Sequence, residues 1–127
     1  MREVLTISKT NDLRKLIQTK LCSITPLVYY KVADEDALYP HIVHNINRVN
    51  QIVEHRDDVS VEIDIWTKSE YEAIELADAV EAALKNENLP QDTILPTFYM
   101  ESRLDVADED KTISHIRIIF NVQNYER

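Results

Sequence analysis

The chain of 127 residues contains no glycine. Phosphate-cradling loops and dinucleotide turns need backbone positions that only glycine fills easily, so the usual nucleotide fingerprints are excluded. Nucleophile elbows built on a glycine-flanked serine are excluded on the same ground. Turns must then rely on Asn, Asp and Pro. There is a single cysteine, Cys22. It cannot form an intramolecular disulfide, and it reads as a small apolar residue near the end of the first helix. Apolar runs never approach the roughly 20 residues that span a bilayer, and the N-terminus lacks a secretory pattern, so a cytoplasmic site of synthesis is expected. Positive charge is also scarce. Lys and Arg number 14 against 23 Asp and Glu, for a net charge of −9. Nucleic-acid binding rests on Lys and Arg displacing counterions, so this balance argues against gripping phosphate backbones. It favours solubility and keeps phosphates and acidic membranes at a distance.

What is present is organised around Asp58 to Lys68 and the residues that follow. Val59, Val61, Ile63 and Ile65 alternate with Ser60, Glu62 and Asp64, the period of two of a half-buried strand. The period then changes. Ala73, Leu76, Ala77, Val80, Ala83 and Leu84 recur at the spacing of one helix face, from Ser69 to about Lys85. Ser69 with Glu72 makes a capping-box pattern at its start.

Elsewhere, Thr10, Asn11 and Asp12 supply cap-type side chains to a first helix of about Asp12 to Cys22, with Leu13, Leu16, Ile17 and Leu21 inside. Val4, Leu5 and Ile7 either extend it or lie across the core. Pro26 ends it, and Leu27 to Val32 is rich in β-formers. His41 to His55 fits a helix by its spacing of Ile42, Ile46, Val49 and Val53; its Asn and β-branched content tips it to a strand. Asp57-Asp58 is the expected turn into the central strand, and Asn86 to Pro90 the stop of the second helix. From Pro96, Phe98, Met100, Ser102, Leu104 and Val106 share one face, with Tyr99, Glu101, Arg103 and Asp105 on the other. After an acidic loop, Ala107 to Lys111, the last strand puts Ile116, Ile118, Phe120 and Val122 inside. The expected fold is a single α+β domain over residues 1–127, in the order α-β-β-β-α-β-β. Its mostly antiparallel sheet carries two helices packed on one face.

Residues that could carry chemistry are sparse. His41 and His44 lie three apart, which on a strand sends them to opposite faces, and neither His55 nor His115 has a ligand at metal spacing. No metal or cofactor is expected. Glu62 and Asp64 share a strand face roughly 6–7 Å apart, a separation that acid–base pairs use; the simpler reading is a solvated strand face, and no enzyme is expected. Apolar side chains on faces that should be wet are more telling. Trp66, Tyr99, Ile113 and Ile119 all fall there, and aromatics are enriched at protein interfaces. Alternatively, Trp66 covers the helix start at Tyr71 or packs under a loop.

Three stretches carry a resemblance. Leu38-Tyr39-Pro40-His41-Ile42-Val43, Asp57 to Trp66, and Leu95-Pro96-Thr97-Phe98-Tyr99-Met100-Glu101-Ser102-Arg103 resemble the tail-terminator proteins of long-tailed phages, also called tail-completion or head-to-tail joining proteins. The close, Ile118 to Arg127, is similar too. The resemblance implies a structural protein that caps the tail tube, stops its polymerisation and joins tail to head connector. It implies a homo-oligomeric ring, usually of six, at the tail-neck junction of the virion. The partners implied are the major tail tube protein and a head-completion or stopper protein, with DNA passing through without specific binding. It also implies that His41 to about Glu54 is a strand. On that reading Trp66, Tyr99, Ile113, Ile119, Asp36, Leu38, Asp108 and Asp110 are candidate seam or neck contacts, and Glu62, Asp64, Glu101 and Asp105 a candidate acidic lumen. Another connector or stopper of the neck, or a small cytosolic enzyme using Glu62 and Asp64, stays open as an alternative.

Overall fold

The computed structural model describes residues 8–85 and 93–126. The expectations placed on Val4, Leu5 and Ile7, and on the helix stop at Asn86 to Pro90, lie outside these residues.

Helix α1 spans Lys9–Cys22, and its N-cap is Ser8, not the Thr10–Asp12 group. Ser8 holds an extended backbone and its Oγ accepts from the Asn11 N–H at 3.2 Å, satisfying a donor that a helix start leaves unpaired. Asp12, one turn in, instead accepts from the Thr93 hydroxyl at 2.6 Å and ties the helix to a residue far along the chain, just ahead of the strand that starts at Ile94. Cys22 is the last helical residue, at the helix end where it was expected, and is exposed.

Strands β1 (Val28–Tyr30), β2 (His41–Val53) and β3 (Arg56–Thr67) follow, then α2 (Glu70–Ala83), β4 (Ile94–Val106) and β5 (Ser114–Glu126). This is the α+β order read from the sequence. The strands form one sheet in the order β1-β2-β3-β5-β4, antiparallel except for the short β1–β2 pair. The turn between β2 and β3 falls at residues 54–55. Asp57 and Asp58, expected to make that turn, are inside β3; Asp57 is buried and lies 3.6 Å from Lys9 Nζ.

One sheet face, here the inner face, carries both helices. Val59, Val61, Ile63 and Ile65 of β3 and Ile118 and Val122 of β5 are fully buried there against Leu13, Ile17 and Leu21 of α1 and Ala73, Ala77 and Val80 of α2. Each large apolar side chain so buried contributes about 1.5–3 kcal/mol. Small Ala residues on α2 let that helix sit close to the sheet. Its start uses half of the expected capping box. Ser69 Oγ accepts from the Glu72 N–H at 3.4 Å, while the Ser69 N–H goes to Thr67 Oγ1 at 3.2 Å.

β4 departs from simple alternation. Up to Met100 its residues pair with β5 one for one, and then a bulge at Glu101 makes Ser102 the partner of Ile119. An extra residue flips every later side chain to the opposite face. Arg103 therefore pairs with Ile118 and reaches the inner face, where it binds Asp78 at 2.8 Å and Glu81 of α2. Leu104, expected in the core, turns outward and is exposed; Met100 keeps the inner side but lies exposed on the edge strand.

With no glycine, the chain places Lys31 in the left-handed region, at φ 73°. Elsewhere Asp does the turning. Asp108 accepts from the Asp110 N–H and Asp110 from the Thr112 N–H, both at 2.9 Å.

Candidate assembly surfaces

The outer face of the sheet, free of helices, is where most of the candidate residues meet. Directly paired residues share a face, so the register gives its rows. At one end the row runs His41, Trp66, His115 and Val106; the next runs Val43, Asp64, Arg117 and Leu104; the third Asn45, Glu62, Ile119 and Ser102.

The first row is an aromatic stack. Trp66 lies between His41, at 5.4 Å between ring centroids and 24° between planes, and His115, at 4.1 Å and 21°. Tyr39 and Tyr29 close it at the β1–β2 side, 5.0 and 6.0 Å from His41. Trp66 thus stays on the polar face, half-buried by neighbours on adjacent strands; the alternative cover at Tyr71 is not used, since Tyr71 is 73% exposed. His41 donates from Nδ1 to the Leu38 carbonyl at 3.0 Å. Burial lowers its pKa, the Leu38 bond opposes that, and the charge of His115 adds to the lowering.

In the second row, Asp64 is buried, and its Oδ1 accepts from His115 Nε2 at 2.7 Å and from Arg117 Nε at 2.9 Å. Burial pushes its pKa up, but hydrogen bonds from His115, Glu62 and Arg117, with the Arg117 charge, hold it below the ordinary carboxylate range. Glu62 is shifted the other way, by burial first and then by the neighbouring Asp64. A carboxylate pair split in this way is a pattern of acid–base sites. Here, however, Asp64 is occupied by two structural donors, and neither acid lines the cavities that open beside them. From the sequence, His41 and His115 are weighed only as metal ligands, and Arg117 is given no role. Their parity along the strands was legible; the register that sets them beside Asp64 and Trp66 was not.

A cavity of about 300 Å³ opens where residues 31–40 fold back toward Trp66, His41 and Val43, with Asp34 and Glu35 at its wall. Asp36 and Leu38 stand exposed on that loop. At the opposite edge of the sheet, Asp108, Ile113 and Lys111 line a second recess, and Asp108 and Asp110 are engaged in turn hydrogen bonds. The two loops sit at the same end of the sheet, on opposite edges, so they do not meet within one chain. Tyr99 is exposed on the outer face of β4, and Ile119 is half-buried beside Glu62. Glu101, at the bulge, joins Arg48, Asp58 and Ser60 around a polar recess of about 150 Å³ on the outer face. Asp105 pairs with Ile116 and falls on the helix side of the β4 edge, away from Glu62 and Asp64.

His44 lies on the inner face, opposite to His41, as strand parity requires. Among the described residues no three His, Cys, Asp or Glu side chains are grouped to hold a metal ion, and no helix is long and apolar enough to cross a membrane.

A helix-backed sheet whose other face is dressed with stacked rings, neutralised acids and exposed apolar side chains is built to present surfaces, as an assembly protein does. The chain belongs to the tail completion protein gp17 family, which it matches over residues 10–123. It is accordingly a structural protein of phage tails. Comparison with curated proteins gives no match. Among solved structures it is similar to a chain of a virion of a native gene transfer agent particle, at 12% identity and a TM-score of 0.67, over 96% of this chain and 100% of that one. At that identity the likeness is one of fold.

Proposed function

We propose that this protein caps the tail tube, halts its polymerisation and joins the tail to the head connector as a ring, of six subunits, around a DNA channel. The observation that carries the reading is the family match over residues 10–123. A chain of the same fold in the virion of a gene transfer agent particle supports it. The role is carried by surfaces and involves no catalysis. Its partners are further copies of itself, the major tail tube protein and a head-completion or stopper protein, and its place is the tail-neck junction of the virion, after synthesis in the host cytoplasm.

In that ring the outer sheet face is the wall of the channel. Glu62 and Glu101 project from it and Asp64 anchors Arg117 beneath, while Asp105, on the helix side of the β4 edge, takes no part in the wall. With a net charge of −9 such a wall repels phosphates, so DNA slides without sticking. Trp66, at the end of that wall, and Ile113, with the loops holding Asp36, Leu38, Asp108 and Asp110, supply contacts to neighbours, while Tyr99 and Ile119 share the wall with Glu101 and Glu62.

Native mass spectrometry at micromolar concentration, with and without the tail tube protein, is expected to give rings in at least one condition, with electron microscopy placing them on tube ends. Protein that stays monomeric and never meets tube ends sinks the reading. Deletion of the gene should give over-long tails; unsealed heads with normal tails would make it a connector or stopper instead.

A further inference from the structure

Charge is segregated between the two helices. Helix α2, Glu70–Ala83, contains Glu70, Glu72, Glu75, Asp78 and Glu81 and no Lys or Arg. Asp78 and Glu81 are taken up by Arg103, while Glu72 and Glu75 have no ion-pair partner among the described residues. Opposite its buried Ala73–Ala77–Val80 stripe, α2 shows solvent a second stripe at helical spacing, Tyr71, Ile74, Glu75 and Asp78. Tyr71 is 73% exposed and Ile74 44%. A large aromatic left bare among carboxylates is the kind of anchor that dominates interface energies.

The basic counterpart lies on the same face, at the β1 edge of the sheet. The Arg14 guanidinium sits 5.1 Å, and Lys31 Nζ 5.8 Å, from the Tyr30 ring centroid on edge strand β1, and Lys15 is exposed on the adjoining turn of α1. Lys31 occupies this place in a left-handed backbone conformation that non-glycine residues adopt at a cost. The acids nearest in sequence are otherwise placed. Asp12 binds Thr93, and Asp34 and Glu35 line the outer-face cavity beside Trp66.

We propose that the ring's seam joins the Tyr71-bearing acidic stripe of α2 on one copy to the Arg14–Lys15–Lys31 surface of α1 and β1 on the next. The two surfaces are different patches toward opposite edges of one subunit, so the contact is head-to-tail, the type that closes into rings. Opposite charge fixes its register and steers the encounter. The inference rests on the ring reading above.

The test is a charge swap. Glu72→Lys/Glu75→Lys and Lys15→Glu/Lys31→Glu are each expected to raise the concentration needed for rings by about tenfold or more, with an unchanged circular dichroism spectrum. An equimolar mixture of the two restores rings, alternating the variants, because both seams are then complementary. Tyr71→Ala should weaken the seam without adding a like-charge contact. Rings that form normally from each variant alone overturn the seam assignment and leave the capping reading standing, as do variants that form rings but no longer bind tube ends. A wild type that neither forms rings nor caps tubes overturns the capping reading itself.

Discussion

Asp64 converts a potentially costly buried charge into the fixed point of the outer face. An ionised carboxylate that is 5% exposed needs donors, and His115 and Arg117 supply them from the neighbouring strand. Removing one member of such a cluster leaves the others unpaired, which costs more than the pair is worth. Asp64→Asn is expected to lower unfolding free energy by about 2–4 kcal/mol at pH 7, read by urea denaturation. The sign with pH follows from the depressed native pKa. The carboxylate's contribution is full above its ordinary value of 3.8 and is lost as pH falls through the lower native one. The gap between variant and wild type should therefore close in strong acid, and a gap that stays constant down to that range would remove the carboxylate from the account. From the sequence, Asp64 reads as one acid on a solvated strand face. Alternation gives the face correctly, but burial depends on which residues the next strand sets alongside, and that is a long-range fact.

At the scale of elements, the legible parts are those where one period runs unbroken. The β3 and β5 faces and the buried stripe of α2 fall where alternation and helical spacing put them, because each packs against a single continuous surface. The ambiguous stretch from His41 is a strand because Ile42 and Val43 find partners in Ile65 and Asp64 of β3, which isolated helix propensity could not anticipate. β4 is misread beyond Glu101 because a bulge is one residue out of phase and leaves no mark on composition. Its consequence, Arg103 clamping α2, shows what the bulge is for. The docking of α1 gives a second measurable consequence. His44 is fully buried, its Nε2–H donates to Gln18 Oε1 at 2.5 Å, and its Nδ1 has no partner among the described residues. Burial, with the nearby Arg14 charge, lowers its pKa from 6.5 to about 4. The neutral ring is the native form, so its contribution is complete above pH 6.5 and is lost as pH falls from there to about 4. Over that window stability should drop by roughly 3 kcal/mol, and His44→Gln should flatten the slope. Equal slopes for variant and wild type would show that another group titrates.

At the scale of the whole molecule, the two sheet faces divide the labour. The inner one holds the fold together, and the outer one is left to meet something else. Its acids differ in what they can report. Asp64 is structural, so reversing it would test folding, and Asp105 lies round the edge on the helix side. Glu62 and Glu101 are the pair to reverse: Glu101 is exposed at the bulge, and Glu62, its side chain 22% exposed, gives up a 3.5 Å contact with Arg117 and a long bond from Asn47 at 3.4 Å, a modest loss near the surface. If the outer face lines a DNA channel, two acids per subunit changed to bases multiply around the ring, and each new cation that meets a phosphate adds counterion-release affinity. Glu62→Lys/Glu101→Lys should then give tails of normal length in electron micrographs, since tube capping uses other surfaces. DNA delivery, measured as infectious titre per assembled particle, should fall by about tenfold or more, and raised salt should recover part of it because phosphate contacts weaken steeply with ionic strength. Abnormal tail length with undiminished delivery would assign the outer face to the tube end, and would turn the sheet through a right angle in any picture of the ring.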